Sequence, residues 1–171
     1  MATQFSQIFW GLLLVILDIS INGFDLLVDG VGYLIAAAGC FGLSSLSSRF
    51  VGAGTLCLVL AALWLIGFVV PGDIATAQGL VTNVVDCAMM WQLLGGIRKF
   101  ALSRQREDLA KQAGDRRVAY VVITAIISLI LFAMRGSPNA VLLAVILAVA
   151  MLILLVMILH LIHRVKVELA T

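Results

Sequence analysis

Four aspartates carry most of the chemistry this sequence offers. Asp18, Asp25 and Asp29 fall in "DISINGFDLLVDG", and Asp86 falls in "GLVTNVVDCAMMWQLLGG", both otherwise apolar runs. Carboxylates this close together cannot all ionise cheaply. A proton is retained, a cation is held, or water reaches all of them. Asp29 follows Asp25 by about one helical turn on the same face, roughly 7–8 Å into the run that starts at Phe24. Asp86 lies roughly 10 Å beyond Gly79 along a helix. Asn83 precedes it by one turn and Met90 continues the same face. An ionisable group at such depth in a bilayer costs about 2.5–3.5 kcal/mol on insertion scales, so it either pairs or serves a site. The basic residue on that side is Arg135. The alternatives are an Asp86–Arg135 ion pair, or a polar site shared by Asp29, Asn83 and Asp86 with Asp18 and Asp25 at its mouth.

The elements that hold these acids must be membrane helices. Of the 171 residues 63% are hydrophobic and 12% charged, against roughly 25% charged in soluble domains. Such a chain cannot cover its own surface in water, and the bilayer is the solvent that fits. Unpaired strand edges cannot sit in lipid, so the expected class is all-α, a polytopic bundle in a single domain. Six apolar segments are long enough or nearly so, at about 5–21, 24–45, 50–70, 79–100, 117–134 and 139–163. Residues 1–9 contain no Lys or Arg, so a cleavable signal is not expected.

Orientation follows from the bases. Arg98, Lys99, Arg104, Arg106, Lys111, Arg116 and Arg117 lie in the linker 98–117, Arg49 between segments two and three, and Arg164 and Lys166 after segment six. With six spans, ten of the eleven Lys and Arg residues share one side, and both termini are expected in the cytoplasm. The linker, and above all Arg98, Lys99, Arg104, Arg106, Arg116 and Arg117, reads as an anchor on anionic lipid or a partner-docking strip. Its ragged apolar pattern predicts partial helix, ending at Gly114, with Asp115 as the next N-cap. On the far side, Asn22-Gly23 predicts a tight turn, and Asn22 with Asp25 three residues later resembles a capping box on segment two, with Asp in place of the usual Glu. Gly32, Ala36 and Cys40 recur every four residues, a spacing that lets backbones approach closely. Segment two is therefore expected as the central helix, packed within the chain. Segments five and six are expected to face lipid, leaving the chemistry among segments one, two and four.

Other residues read as architecture. Cys40, Cys57 and Cys87 sit in apolar runs without a C-x-x-C pair, so neither a disulfide framework nor a metal site is expected. His160 and His163 lie beside Arg164 and Lys166, where they would snorkel to the interface. Trp10, Trp64 and Tyr120 suit interfacial anchoring. "FDLLVDG" invites comparison with the CDP-alcohol phosphotransferases, but Asp29-Gly30 is not followed by Ala-Arg and no D-x-x-x-D appears downstream. No nucleophile elbow, zinc-helix motif or phosphate loop is present. No enzyme activity, metal or cofactor is expected.

The run Asp18-Ile19, Ile21, Phe24-Asp25-Leu26-Leu27, Asp29, Gly32-Tyr33 resembles the opening of a group of small bacterial multi-pass membrane proteins. In that group a proline commonly precedes the last aspartate. Val28 stands there in this chain, which removes a kink. The resemblance covers about the first 45 residues. It implies a bacterial inner-membrane location and no particular activity. Two functional readings follow from the residues. The first is a non-enzymatic protein whose partners are the lipid bilayer and itself or another membrane protein, with no nucleic acid (net charge is only +2). The alternative is a small transporter or ion- or proton-conducting protein with an outward acidic site. A membrane-embedded enzyme stands third.

Overall fold

The structure is a computed structural model that describes residues 1–17, 28–67, 75–133 and 138–169. Among these residues every element is a helix: α1 (Ala2–Leu17), α2 (Val28–Gly42), α3 (Ser48–Gly67), α4 (Ala75–Ser103), α5 (Glu107–Ala133) and α6 (Pro138–Leu169). Helices α3, α4 and α6 are long and apolar enough to cross a membrane, and α1 and α2 are shorter apolar helices. The predicted turn at Asn22-Gly23, the acids Asp18 and Asp25, and the possible ion-pair partner Arg135 lie outside the described residues.

The helices pack in chain order around a ring. Each touches the next, α6 returns to α1, and a weaker contact joins α4 to α6 across the middle. The small-residue face of α2 meets α1. A methyl group on Gly11 would lie 2.6 Å from the Gly32 carbonyl oxygen and from the Ala36 nitrogen, and one on Gly39 would lie 2.7 Å from the Gln4 carbonyl. The Gly32–Ala36 face is therefore occupied within the chain, while Cys40 is buried toward Cys57 of α3. Segment two is not the central helix that its composition predicts. Small residues shorten one helix–helix distance, but they do not decide how many neighbours a helix has. The contact across the ring joins α4 and α6, whereas α2 packs against α1 and α3.

The predicted break at Gly114 is absent, because α5 runs through it from Glu107. The turn between α4 and α5 comes earlier. Gln105 takes a left-handed conformation (φ 58°). The Arg106 amide reaches back to the Ala101 carbonyl at 3.0 Å, and the Gln105 amide to that of Leu102 at 3.0 Å. This is a Schellman C-cap built without glycine. Glu107 and Asp108 then lie in the first turn of α5, at the positive end of its dipole. The basic linker is thus the ends of two helices joined by a tight turn.

The core is concentrated toward the end where the basic residues gather. Phe5 of α1 stacks on Phe100 of α4 at 5.8 Å and meets Phe50 of α3 edge-on at 6.2 Å. All three rings are buried, as are Leu43, Leu94, Ile97, Leu109, Leu161 and Val165 around them. Toward the other end burial thins. No residue of α4 before Met89 and none of α6 before Leu154 is in the core, among those described.

Candidate functional site

Above the aromatic cluster, away from the basic end, the ring encloses a cavity of about 340 Å³. Its wall comes from five helices. Leu12, Val15 and Ile16 of α1 and Leu155 of α6 are the aliphatic part. Tyr33 of α2, Tyr120 of α5 and Thr82, Asn83 and Asp86 of α4 are the polar part, with Met89 and Met90 at the level of the core. The spacing explains how α4 fills this role. Thr82, Asn83, Asp86, Met89 and Met90 recur at three- and four-residue intervals, which is one helical face.

Asp86 is the acid at the centre. The Tyr120 hydroxyl donates a hydrogen bond to its carboxylate across the α4–α5 seam. Tyr33 is buried and lies within electrostatic reach of both Asp86 and Asp29. Asp29 stands one turn before Tyr33, in the first turn of α2, and does not line the cavity. Asn83 lines it and is also exposed, so the cavity opens at that level, one turn before Asp86.

The sequence-level residues therefore divide. Asp86 and Asn83 share a cavity, and Asp29 is linked to them through Tyr33. The placement of Asp18, Asp25 and Arg135 is outside the described residues. Tyr120, read from sequence as an interfacial anchor, instead bonds Asp86 inside the bundle. Its signal was present: Tyr120, Thr124 and Ser128 form a polar stripe at four-residue spacing on an otherwise aliphatic segment. The expectation that the chemistry avoids segments five and six is accordingly too narrow, since α5 supplies the partner of Asp86 and α6 supplies Leu155. Trp64, also read as an anchor, packs half-buried on Gly30, whereas Trp10 is exposed. His160 and His163 are both exposed, the latter 6.1 Å from the Phe9 ring.

The chemistry available is that of one carboxylate, two phenols, an amide and a hydroxyl in a space of small-ligand size. The site is asymmetric. Buried Leu12, Met89 and Met90 line it toward the basic end, and Thr82 and Asn83 line it at the other. The donors are oxygen atoms, apart from the weak thioethers of Met89 and Met90. Among the described residues no group of three His, Cys, Asp or Glu side chains converges. Comparison with protein-family models, with curated proteins and with solved structures finds no match for this chain.

Proposed function

We propose that this protein is a multi-pass membrane protein of the bacterial inner membrane that takes a small monovalent cation, the proton included, at Asp86, as a transporter or ion-conducting protein does. The observation that carries the reading is the Asp86–Tyr120 pair on the wall of a cavity whose lining reaches the surface at Asn83. A buried carboxylate is costly in lipid unless it is paired or does something. Here its hydrogen-bond partner is neutral, which leaves its charge to be balanced by a proton or another cation. In this reading all six helices span the bilayer and both termini are cytoplasmic. Support comes from the basic residues: among the described helices, Arg49, Arg98, Arg106, Arg164 and Lys166 gather at the end that holds the aromatic cluster. The cavity then faces outward. The reading as an assembly protein is weaker, because the small-residue face that favoured it is covered by α1.

The test uses purified full-length protein in lipid, with Asp86→Asn and Tyr120→Phe as variants. Wild type is expected to show a carboxyl infrared band that titrates and is missing in Asp86→Asn. In proteoliposomes carrying an internal pH dye, proton or sodium flux is expected from wild type and not from Asp86→Asn. In Tyr120→Phe the carboxyl band should shift, because the carboxyl loses the hydrogen bond that the phenol donates. Equal flux from wild type and Asp86→Asn, or no titrating carboxyl in wild type, sinks the proposal.

A further inference from the structure

A second site lies at the opposite end, where α3, α4 and α5 meet. Arg49 of α3 reaches over Gly95 of α4: a methyl group on that glycine would lie 2.8 Å from the guanidinium. The Arg117 guanidinium of α5 sits 3.3 Å above the ring centre of Trp91, within electrostatic reach of Arg49 and Arg98. Arg98 runs across the α4–α5 seam to Gly114, where a methyl group would lie in ordinary contact with its aliphatic stem at 3.9 Å. Beside it opens a cavity of about 460 Å³. Arg98 and Lys111 are its cations, Glu107 and Asp115 its acids, and Leu102 and Val118 part of its apolar wall.

The charges here are not balanced within the protein. None of the four ion pairs among the described residues includes Arg49, Arg98, Arg117 or Lys111. The Nε of Arg117 is buried without a hydrogen-bond partner. The cavity lining holds two cations and two acids, and Arg49 and Arg117 next to Arg98 add two more cations, so the ligand that fits is a net anion that also offers hydrogen-bond donors to Glu107 and Asp115. Guanidinium groups match phosphate oxygens in a bidentate manner. Val118 begins a stripe of exposed apolar residues, Val122, Ile126 and Leu129, that descends α5 from the cavity. A stripe of that kind suits an acyl chain lying along the helix.

We propose that Arg49, Arg98 and Arg117, with Trp91 and the Gly114 cavity, bind one phospholipid whose headgroup is an anionic phosphodiester bearing hydroxyl groups, as in phosphatidylglycerol. The proposal rests on the chain lying in a bilayer, as proposed above, but not on any role of Asp86. An indole at the headgroup level and arginines at the phosphate depth are general habits of membrane interfaces. What marks this site is that one seam brings the cations, the acids, the cavity and the apolar stripe together.

The experiment is native mass spectrometry of delipidated full-length protein in detergent, titrated with phosphatidylglycerol, phosphatidylcholine or inorganic phosphate. Wild type is expected to retain one phosphatidylglycerol in preference to phosphatidylcholine, and millimolar phosphate should not displace it. Each arginine removed, in Arg49→Gln, Arg98→Gln or Arg117→Gln, should weaken retention about fivefold. Arg106→Gln, on the ion-paired seam, should leave it unchanged. Three singles guard against one of them failing to fold, with helical content checked by circular dichroism. Equal retention of both lipids, or an equal loss in Arg106→Gln, overturns the proposal in favour of general surface charge. Displacement by inorganic phosphate overturns the lipid as the source of the anion. None of these readouts changes if Asp86→Asn shows the cation site to be wrong. A chain that associates with no bilayer or micelle defeats both readings and is recognised separately, by its partition into the aqueous phase.

Discussion

The two halves of this bundle use the same helices for opposite ends. At the basic half, Phe5, Phe50 and Phe100 interlock, and the residues around them are almost fully buried. At the other half α4 carries Asp86, and α2 and α5 bring Tyr33 and Tyr120 to the same cavity. Interior packing at crystal-like density tolerates little change, whereas a cavity has slack. The difference teaches where this protein is built to hold its shape and where it has room for something else.

The largest effect should come from breaking the dense half. Phe100→Ala removes a ring that joins α1 to α4, and a phenylalanine truncation in a packed core costs about 3–5 kcal/mol. Leu155→Ala on the cavity wall should cost clearly less, since part of its surface already faces empty space. Thermal unfolding in detergent, followed by tryptophan fluorescence, compares the two. If Leu155→Ala is as damaging as Phe100→Ala, the halves are not packed differently. Next is Gly11→Ala. Its new methyl meets backbone atoms of α2 at 2.6 Å, and overpacking of this kind costs about 1–3 kcal/mol. The same unfolding assay reads it, and an unchanged midpoint would show that α1 and α2 are not held backbone to backbone.

The smallest effect concerns the basic end outside the core. Asp108 joins Arg106 at 3.0 Å and Arg164 at 3.7 Å, and Glu168 joins Arg164 at 2.9 Å and also Arg106. Arg106 foremost draws the Asp108 carboxyl down to about 2, against about 3.9 for a free aspartate. A carboxyl lowered on folding stabilises the fold above its unfolded value, and that contribution is lost as the pH falls through the folded one. The midpoint of wild type should therefore exceed that of Asp108→Asn by a constant, small margin above about pH 4. The margin should close toward pH 2. A margin that persists at pH 2, or that is absent at pH 6, contradicts the assignment.

Much of this arrangement was legible in composition and spacing. The low charge count and apolar runs foretell helices long and apolar enough to cross a membrane, as α3, α4 and α6 are, and Asp86 with Asn83 stands out as a polar pair in an apolar run. Three features escaped for physical reasons. The α4–α5 turn carries Gln105 at the left-handed position that glycine usually takes, so the nearest glycine, Gly114, drew the helix end instead. Gly114 instead lies within α5, beside the Arg98 stem of α4. The partner of Asp86 lies 34 residues away on α5, and nothing in local spacing announces a contact between helices. A phenol near a run of arginines reads as an interfacial anchor until its depth is known. Lastly, the small residues of α2 announce close approach without naming the neighbour, and the ring, with α4 reaching across it, follows only from the assembled packing.

The closure of the ring by α6 has a consequence for how the protein is made. Phe9 of α1 lies beside His163, and the Lys166 ammonium donates to the Ser6 hydroxyl at 3.3 Å, so the first helix and the sixth share a seam. Translation delivers α1 long before α6. Until the sixth helix arrives, α1 has one flank bare and the wall around Asp86 is missing a panel. The nascent chain must therefore wait, with Asp86 on an incomplete wall, for its last helix to dock. Truncated chains lacking α6 should be prominent clients of cellular quality control, whereas α1 and α2, drawn together by their own glycines, can pair while synthesis is still under way.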